Sequence, residues 1–370
     1  MKYLFINVVA GSGSTGRIAA EQCRALQAQG HECVLAYGRW ESNCEGVTTH
    51  RIGTSLDYRI HGLLTRLFDL HGFGSAQATR SFLHWVREYD PDVIWLHNIH
   101  GYYLNIELLF DYLKTCGKTI RWTLHDCWAF TGHCAYFSYV GCGQWRTEGA
   151  HCPQLRSYPK CMGVSDVRRN FARKKEVFTG VPDMTLVTPS QWLANLVKQS
   201  FLREYPVEVA YNRIDTNVFK PTPSDFRERY GLQGKTVVLG VANVWEERKG
   251  LSDFIRLASL LDDRYAIVLA GLTEEQIRKM PKQILAFPCT SSTQELAKLY
   301  TVADVLFNPT YEDNYPTVNL EAQACGTRVI CYDVGGCRET LQDEESVVVE
   351  PGNLEKVRTL LTAFDRSDTP

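Results

Sequence analysis

Short apolar segments alternate with longer amphipathic ones along almost the whole chain, and this alternation constrains the fold more than any other feature. In the first half the strand-like segments are KYLFINVV, ECVLAYG, DVIWLH, TIRWTL and MTLVTPS. Helix-like segments such as TGRIAAEQCRALQAQG and NIELLFDYLKTCG lie between them. Apolar strands separated by amphipathic helices are typical of parallel sheets with helices on both faces. The sequence therefore predicts an α/β fold.

The alternation is interrupted once, which predicts two domains. Residues 213–235 are polar, and the pattern then restarts with KTVVLGVA, YAIVLAG, ILAFPCT, DVLFNPT and RVICYD. A chain of 370 residues also exceeds the usual size of a single core. We expect Rossmann-like domains over residues 1–215 and 216–370 that face a cleft. Ligands of such sheets bind at the carboxyl ends of the strands.

Composition excludes several classes of protein. The chain is 44% hydrophobic and 22% charged, with a net charge of −2, which is ordinary for a globular protein and gives no reason to expect nucleic-acid binding. No apolar run approaches the roughly 18 residues that a membrane span needs. The N-terminal MKYLFINVVAG leads into a glycine-rich loop without a convincing cleavage pattern, so we interpret it as a first buried strand. A cytoplasmic location is expected.

A glycine-rich turn follows this first strand. Gly11, Gly13 and Gly16 have the spacing that lets a phosphate approach the backbone at a helix start. A tight strand-to-helix turn without a ligand would use the same glycines. The second strand ends LAYGRWES, without a cleanly placed acid, which argues against a nicotinamide dinucleotide.

Two cations follow the first strand of the second half. Arg248 and Lys249 precede Gly250 at the start of a predicted helix. A forked guanidinium and a compact ammonium at this position suit a diphosphate. In isolation, a solvated run of charges would be the favoured explanation.

The segment YEDNYPTVNLEAQACG, residues 311–326, combines acids with a helix start. Pro316 suits the first helical turn, and Thr317 and its neighbours would offer backbone N–H groups to a phosphate. Asp313 and Glu321 could accept hydrogen bonds from sugar and ribose hydroxyls. A surface acid and a helix-capping acid are the simpler alternative.

Together these segments resemble glycosyltransferase family 4, whose members are retaining enzymes with the GT-B fold. DNYPTVNLEAQACG is similar to the Glu-x7-Glu motif of that family, and the supporting segments are RKG, TPSQWL, NRIDTNVFKP and ADVLFNPTYED. GSGSTGRIA, LHNIHGYYLN and TLHDCWAFTGHC resemble the subgroup that builds bacterial exopolysaccharide, including colanic-acid-type enzymes. The resemblance covers nearly the whole chain.

The resemblance implies roles for individual residues. His125 would face the transferred sugar, Asp313 would contact that sugar, Glu321 would bind the donor ribose and Lys249 would neutralise the diphosphate. The other implied donor contacts are Gly13, Gly16, Arg248, Glu312, Asn314, Tyr315 and Thr317. In LHNIHGYYLN the candidates for the acceptor side are His97, Asn98, His100 and Tyr102, although a capped turn with aromatic packing explains each of them as well.

The implied activity is metal-independent, retaining transfer of a sugar from a UDP- or GDP-sugar to a hydroxyl of a lipid-linked glycan, in the synthesis of a bacterial surface polysaccharide. Two departures from the family pattern keep alternatives open. Asp313 is one methylene shorter than the usual glutamate, with Glu312 beside it, and Asn243 stands where an arginine is usual. A nucleotide-sugar 2-epimerase and a catalytically weakened binding subunit are the competing hypotheses.

A cysteine-rich insert occupies about residues 127–162. Four of the 13 cysteines of the chain are candidate ligands of a structural zinc, and the alternatives are free thiols or disulfides. They are Cys134, Cys142, Cys152 and Cys161.

The segment VRRNFARKKEVF, residues 167–178, predicts a basic amphipathic helix with Val167, Phe171 and Phe178 on its apolar side. Such a helix can rest on anionic lipid, which would place the protein peripherally at the inner face of the plasma membrane. A solvated helix face is the alternative.

Overall fold

The computed structural model describes residues 1–147 and 152–367, with side chains as far as residue 363. The chain divides into two compact units, residues 1–211 and residues 212 onward, where the sequence predicts a boundary after residue 215. Each unit has its own parallel sheet with helices packed against it. The prediction of an α/β fold with two Rossmann-like halves is confirmed.

The N-terminal unit contains a seven-stranded parallel sheet in the order β3-β2-β1-β4-β5-β6-β7. Its strands are β1 (Lys2–Asn7), β2 (Glu32–Tyr37), β3 (Thr48–Arg51), β4 (Val93–Leu96), β5 (Thr119–Thr123), β6 (Met184–Thr188) and β7 (Val207–Val209). Its helices are α1 (Gly13–Ala28), α2 (Ser55–Phe68), α3 (Ala76–Tyr89), α4 (Ile106–Leu113), α5 (Val167–Phe178) and α6 (Gln191–Val197).

The C-terminal unit contains a six-stranded parallel sheet in the order β10-β9-β8-β11-β12-β13. Its strands are β8 (Thr236–Val241), β9 (Tyr265–Ala270), β10 (Ile284–Phe287), β11 (Val305–Asn308), β12 (Arg328–Tyr332) and β13 (Val347–Val349). Its helices are α7 (Phe226–Arg229), α8 (Leu251–Leu260), α9 (Glu274–Lys279), α10 (Thr293–Val302), α11 (Thr317–Ala324) and α12 (Leu354–Ser367).

Burial on both faces of the sheets explains the continuous apolar runs. Every residue of β9 is buried, because helices cover its sheet on both sides. The helices bury one face each. In α3, for example, Phe82, Leu83 and Val86 enter the core. Polar residues on the other side of the helix, such as Ser81 and His84, are exposed.

The order of strands reverses between β1 and β4 in the first unit and between β8 and β11 in the second. At such a point the loops that follow the two strands diverge and leave a crevice at the carboxyl edge of the sheet. The candidate residues cluster at these edges. His97 and His125 follow β4 and β5, whereas Lys249 and Asp313 follow β8 and β11.

Helix α5 spans the predicted basic segment, but its apolar face is not available to lipid. Val167, Phe171 and Phe178 are buried in the N-terminal unit. Lys174 is buried too, with its Nζ 3.6 Å from the ring centroid of Trp128. The prediction that these apolar side chains rest on a membrane is therefore wrong, because they pack against their own domain. In the described part of the chain, no helix has the length and apolarity needed to cross a bilayer.

Candidate active site

The two strands at the reversal point of the C-terminal sheet bring a lysine and an aspartate together. Lys249 ends a short 3-10 turn after β8, and Asp313 lies in the loop after β11. The Lys249 Nζ donates to Asp313 Oδ2 at 2.5 Å. Burial alone would raise the pKa of the Asp313 carboxyl, but Lys249 and Arg248 outweigh burial and lower this pKa. The site therefore holds a carboxylate against two fixed cations.

Arg248 joins the 3-10 turn Glu247–Lys249 to the loop that carries Glu312 and Asp313, which we call the acidic loop. Its Nη1 donates to the Glu312 carbonyl oxygen at 3.0 Å, and its own carbonyl oxygen accepts from the Tyr311 N–H at 2.7 Å. Glu312 is fully buried, whereas Asp313 is only partly buried and faces Lys249. Of the two adjacent acids, Asp313 is the one whose carboxylate meets the lysine.

Two glycines allow the loops after β8, β11 and β12 to approach one another. Gly335 has φ +56°, and a Cβ at this position would lie 1.9 Å from the Asp313 carbonyl oxygen. Gly250 has φ +74°, and its Cβ would lie 2.3 Å from the Pro309 carbonyl oxygen. Because these distances are far below van der Waals contact, only glycine fits at either position.

Helix α11 begins at Thr317, with Pro316 as the residue that precedes its first turn. Thr317 is half-buried, and Asn314 and Tyr315 are buried in the loop before it. Glu321 is buried one turn further along, where its Oε2 accepts from the Tyr300 hydroxyl at 2.8 Å. The buried carboxylate is thus oriented by a tyrosine of α10.

A buried polar network, not predicted from the sequence, holds α11 in place. The Asn308 Nδ2 donates to Asn319 Oδ1 at 2.9 Å, and the Asn319 Nδ2 donates to Thr340 Oγ1 at 2.8 Å. All three residues are buried. Asn308 ends the otherwise apolar strand VLFN, and this polar residue was the available signal.

A second missed group anchors the acidic loop to α8. Asp253 is buried, and its Oδ2 accepts from the hydroxyls of Tyr311 at 2.7 Å and Tyr332 at 2.8 Å. Burial, together with the Asp253 carboxylate, raises the pKa of Tyr311 to about 12. Tyr311 therefore remains a hydrogen-bond donor at neutral pH and fixes the residues just before Asp313.

In the N-terminal unit, two histidines from neighbouring strands meet. His97 Nδ1 and His125 Nε2 are 2.9 Å apart, so one imidazole donates its N–H to the other. Burial lowers the pKa of His125 to about 4 and that of His97 well below its usual value. Both rings are therefore neutral at pH 7.

The other three residues of the predicted acceptor segment have different hydrogen-bond and ring partners. His100 Nε2 lies 2.9 Å from Asp126 Oδ2, beside the His125 loop. The Asn98 N–H donates to Asn7 Oδ1 at 3.1 Å and links the ends of β4 and β1. The Tyr102 ring centroid lies 4.9 Å from that of His71, which is in turn 5.5 Å from that of His100. The structure therefore brings His97 and His100 next to the β5 loop, and His71 links Tyr102 to His100.

The glycine-rich turn starts α1. Gly13 is its first residue, with φ +63° and open space around the position of a Cβ. Gly16 is buried, and the Gly11 N–H donates to its carbonyl oxygen at 3.2 Å. A Cβ on Gly16 would lie 3.0 Å from Val9. Gly16 thus closes the turn, and Gly13 leaves the helix start open.

The four candidate zinc ligands do not form a metal site. Cys134 and Cys152 share a hydrogen bond, which raises the pKa of Cys134 and lowers that of Cys152. The Cys161 Sγ instead lies 3.8 Å from the Val164 carbonyl oxygen. Within residues 1–147 and 152–367, no three His, Cys, Asp or Glu side chains are grouped to hold a metal ion, Cys142 included. Residues 148–151 of the insert lie outside this range.

Residues 15–218, more than half of the chain, match the family described as Glycosyltransferase Family 4. This chain belongs to glycosyltransferase family 4. Residues 224–364 match a second description, Glycosyl transferases group 1. The predicted family is confirmed.

Two relatives of this family 4 glycosyltransferase come from bacteria. The putative colanic acid biosynthesis glycosyl transferase WcaC of Escherichia coli K12 is 25% identical over 359 residues, which cover 92% of this chain and 85% of WcaC. The N,N'-diacetylbacillosaminyl-diphospho-undecaprenol alpha-1,3-N-acetylgalactosaminyltransferase of Campylobacter jejuni is 27% identical over 122 residues, 32% of each chain.

Solved structures confirm the GT-B fold of this family 4 glycosyltransferase. Sucrose-phosphate synthase from Thermosynechococcus elongatus has a TM-score of 0.72 at 16% identity, over 99% of this chain and 90% of the synthase. Anabaena HepE in complex with UDP-glucose has a TM-score of 0.67 at 13% identity, over 98% and 89% of the two chains.

Proposed function

We propose that this glycosyltransferase moves a sugar, with retention of configuration and without a metal ion, from a UDP- or GDP-sugar to a hydroxyl of a lipid-linked glycan. The product would be part of a bacterial surface polysaccharide. The enzyme would act in the cytoplasm, peripherally at the inner face of the plasma membrane. The proposal rests on the Lys249–Asp313 contact. In this contact a cation lies beside a carboxylate that can accept hydrogen bonds from sugar hydroxyls, at the reversal point of the C-terminal sheet.

The donor diphosphate would bind between Lys249, Arg248 and the start of α11. Fixed ammonium, guanidinium and helix N–H groups stabilise the negative charge that develops as the bond between the sugar and the diphosphate breaks. Asp313 would accept from hydroxyls of the transferred sugar, and Glu321 from the ribose. A UDP-glucose complex of the structural neighbour HepE supports a nucleotide sugar as the donor.

Retention follows if the acceptor oxygen attacks the face from which the diphosphate leaves. The acceptor hydroxyl would pass its proton to the departing phosphate oxygen, so no protein nucleophile is required. His125 would orient the sugar as a neutral hydrogen-bonding group, since its lowered pKa makes it a weak base. The hydrogen bond between His97 and His125 would hold the ring of His125 in place.

The acceptor class rests on relatives. The name of the Campylobacter enzyme includes a diphospho-undecaprenol acceptor and an alpha linkage, and WcaC is named for colanic acid biosynthesis. An alpha linkage made from a nucleotide α-sugar is the result of retention. The Campylobacter name supports a lipid-linked glycan as the acceptor of this chain, and the WcaC name supports a role in polysaccharide synthesis.

A donor screen tests the proposal directly. UDP-, GDP- and dTDP-sugars would be compared by thermal shift, because a ligand that binds only the folded state raises the melting temperature. The stabilising donor would then be incubated, with and without EDTA, with lipid extracts, and the anomeric configuration of the product would be read by NMR. We expect transfer with retention that EDTA does not abolish.

Variants separate the competing hypotheses. Glu321→Ala and His125→Ala should reduce transfer strongly, whereas Glu344→Ala and His84→Ala, at exposed positions, serve as matched controls. Release of a donor whose sugar is inverted at C2 would instead identify an epimerase. Donor binding without any consumption of the sugar would identify a binding subunit.

A further inference from the structure

Helix α2 exposes its large aliphatic side chains and buries polar ones, which is the reverse of an ordinary amphipathic helix. Leu56, Ile60, Leu63 and Leu67 recur at helical spacing, and each is between 42% and 65% exposed. We call these four residues the α2 stripe. The buried residues of the same helix are His61, Gly62 and Thr65. Because surface helices normally bury their apolar face, an exposed row of four large aliphatic side chains indicates a surface that meets another apolar phase.

The buried polar face has a structural reason. The N–H groups of Gly72 and Gly74 each donate to His61 Nε2 at 3.2 Å, and His61 Nδ1 lies 2.9 Å from Ser75 Oγ. His61 thereby satisfies the backbone of the loop that leads into α3. This requirement fixes the rotation of α2 about its axis and directs the α2 stripe outward.

A second segment extends the apolar surface. The N–H of Met162 donates to the Arg66 carbonyl oxygen, and the N–H of Val164 donates to the Leu67 carbonyl oxygen, both at 2.8 Å. Met162 is 63% exposed and Val164 is 72% exposed. The C-terminal end of the α2 stripe therefore continues onto a non-helical segment.

Charge around this surface favours an anionic partner. Arg59 and Arg66 are exposed on the same side of α2, next to the stripe. The acids nearest in sequence are all engaged within the fold. Asp69 is buried, with its Oδ1 2.6 Å from His133 Nδ1, and the other two cap helices. Asp57 accepts from the Thr54 N–H at 2.8 Å, and Asp166 accepts from the Arg169 N–H at 2.9 Å.

We propose that the α2 stripe, together with Met162 and Val164, docks this enzyme on an anionic lipid surface. Leucine and isoleucine side chains would enter the boundary between headgroups and acyl chains, and Arg59 and Arg66 would bind lipid phosphates. A second copy of the chain fits less well, because two such faces would bring arginines of like charge together. The membrane contact would thus be made by α2 and not by α5. Membrane binding through α2 does not depend on the transfer reaction.

Vesicle co-sedimentation of the full chain, without donor or acceptor, tests the docking surface. The vesicles would contain phosphatidylethanolamine with phosphatidylglycerol, and phosphatidylcholine vesicles would serve as the uncharged comparison. Leu63→Glu/Leu67→Glu should weaken binding to the anionic vesicles by about tenfold or more. Arg59→Gln/Arg66→Gln should cost about fivefold per cation and remove most of the preference for anionic lipid. Ile255→Glu, at an exposed apolar position on α8, is the matched control and should bind like the wild type.

Met162→Glu/Val164→Glu provides an independent check that leaves α2 intact, and it should also weaken binding by severalfold. Circular dichroism would establish that each variant is folded. Undiminished binding of both glutamate pairs would overturn the proposal. So would loss of binding with Arg168→Gln/Lys175→Gln on α5 alone, or a change from dimer to monomer in Leu63→Glu/Leu67→Glu with unchanged vesicle binding. Because no sugar donor is present, failure here would leave the proposed transfer reaction untouched.

Discussion

The Nζ of Lys249 lies 2.5 Å from Oδ2 of Asp313, and this contact joins the loops of two adjacent strands, β8 and β11. The two residues are 64 positions apart in sequence. Their pairing gives an anionic carboxylate a fixed cationic partner at the carboxyl edge of the sheet. In the proposed complex the donor diphosphate would contact Lys249 and the transferred sugar would contact Asp313, so both parts of the donor would bind at this pair.

We expect Lys249→Ala to weaken nucleotide-sugar binding by roughly 10- to 100-fold, since a charge-assisted hydrogen bond contributes about 1.5–3 kcal/mol. Isothermal titration with the stabilising donor is the measurement. Lys356→Ala, at an exposed position on α12, is the control and should leave the affinity unchanged. Equal affinities of the two variants would remove Lys249 from the donor site.

Gly335→Ala should displace the Asp313 loop, because the added Cβ would lie 1.9 Å from the Asp313 carbonyl oxygen. Gly234→Ala is a closely matched control, since Gly234 also has a positive φ of +70° but open space around its Cβ position. We expect Gly335→Ala to lose about 1–3 kcal/mol more unfolding free energy than the control. Urea denaturation measures the difference. Similar losses would show that backbone strain alone, and not the close approach of the loops, requires glycine.

Buried histidines should make the stability of the protein fall in mild acid. Burial lowers the pKa of His61 and His125 to about 4 and that of His71 and His97 well below the usual value. The unfolded chain takes up these protons near pH 6.5, so it binds more protons than the folded chain between about pH 6.5 and 4. The contribution of these histidines to the unfolding free energy should therefore be fully present above about pH 6.5 and should decrease as the pH falls toward 4. Each histidine adds up to about 1.4 kcal/mol per pH unit to the slope of the unfolding free energy against pH.

Urea denaturation at several pH values would measure this slope. His61→Gln should lower the number of protons taken up on unfolding by up to one between about pH 6.5 and 4, and so make the dependence of the unfolding free energy on pH less steep. His84→Gln, at an exposed position on α3, should leave the slope as in the wild type. A slope that is identical in all three proteins would contradict the assignment of His61 as a buried neutral histidine.

Cys152 should be the most readily alkylated thiol of the insert at neutral pH, because its hydrogen bond with Cys134 lowers its pKa and increases the fraction of thiolate. Mass spectrometry after brief treatment with iodoacetamide would show the modified peptide. The exposed Cys289 is the reference thiol, and Cys134→Ser should change the pH dependence of labelling at Cys152. Protection of Cys134, Cys142, Cys152 and Cys161 until a chelator is added would instead support bound zinc.

Much of the candidate site follows from local sequence. Gly13, Lys249 and Thr317 each lie where a strand gives way to a helix, and this position can be predicted from apolar patterning. The partners of these residues cannot be predicted in this way. Glu321 meets Tyr300 because α10 and α11 pack together, and no spacing in the sequence specifies that contact. The four candidate zinc ligands show the opposite case, since their grouping in one insert suggested a shared site and the Cys161 thiol instead lies against the Val164 carbonyl oxygen.

The sequence by itself determined the α/β class, the division into two halves and the strand ends at which the candidate residues lie. These features depend on short-range apolar periodicity, which is present in the amino-acid order. Only the tertiary structure decided which strands are neighbours, and hence that Lys249 meets Asp313 and that His97 meets His125. It also decided the direction of each helix face. In α2 the leucines face outward because His61 is needed inside to bind the backbone of the following loop, and that need arises only when the loop is in place.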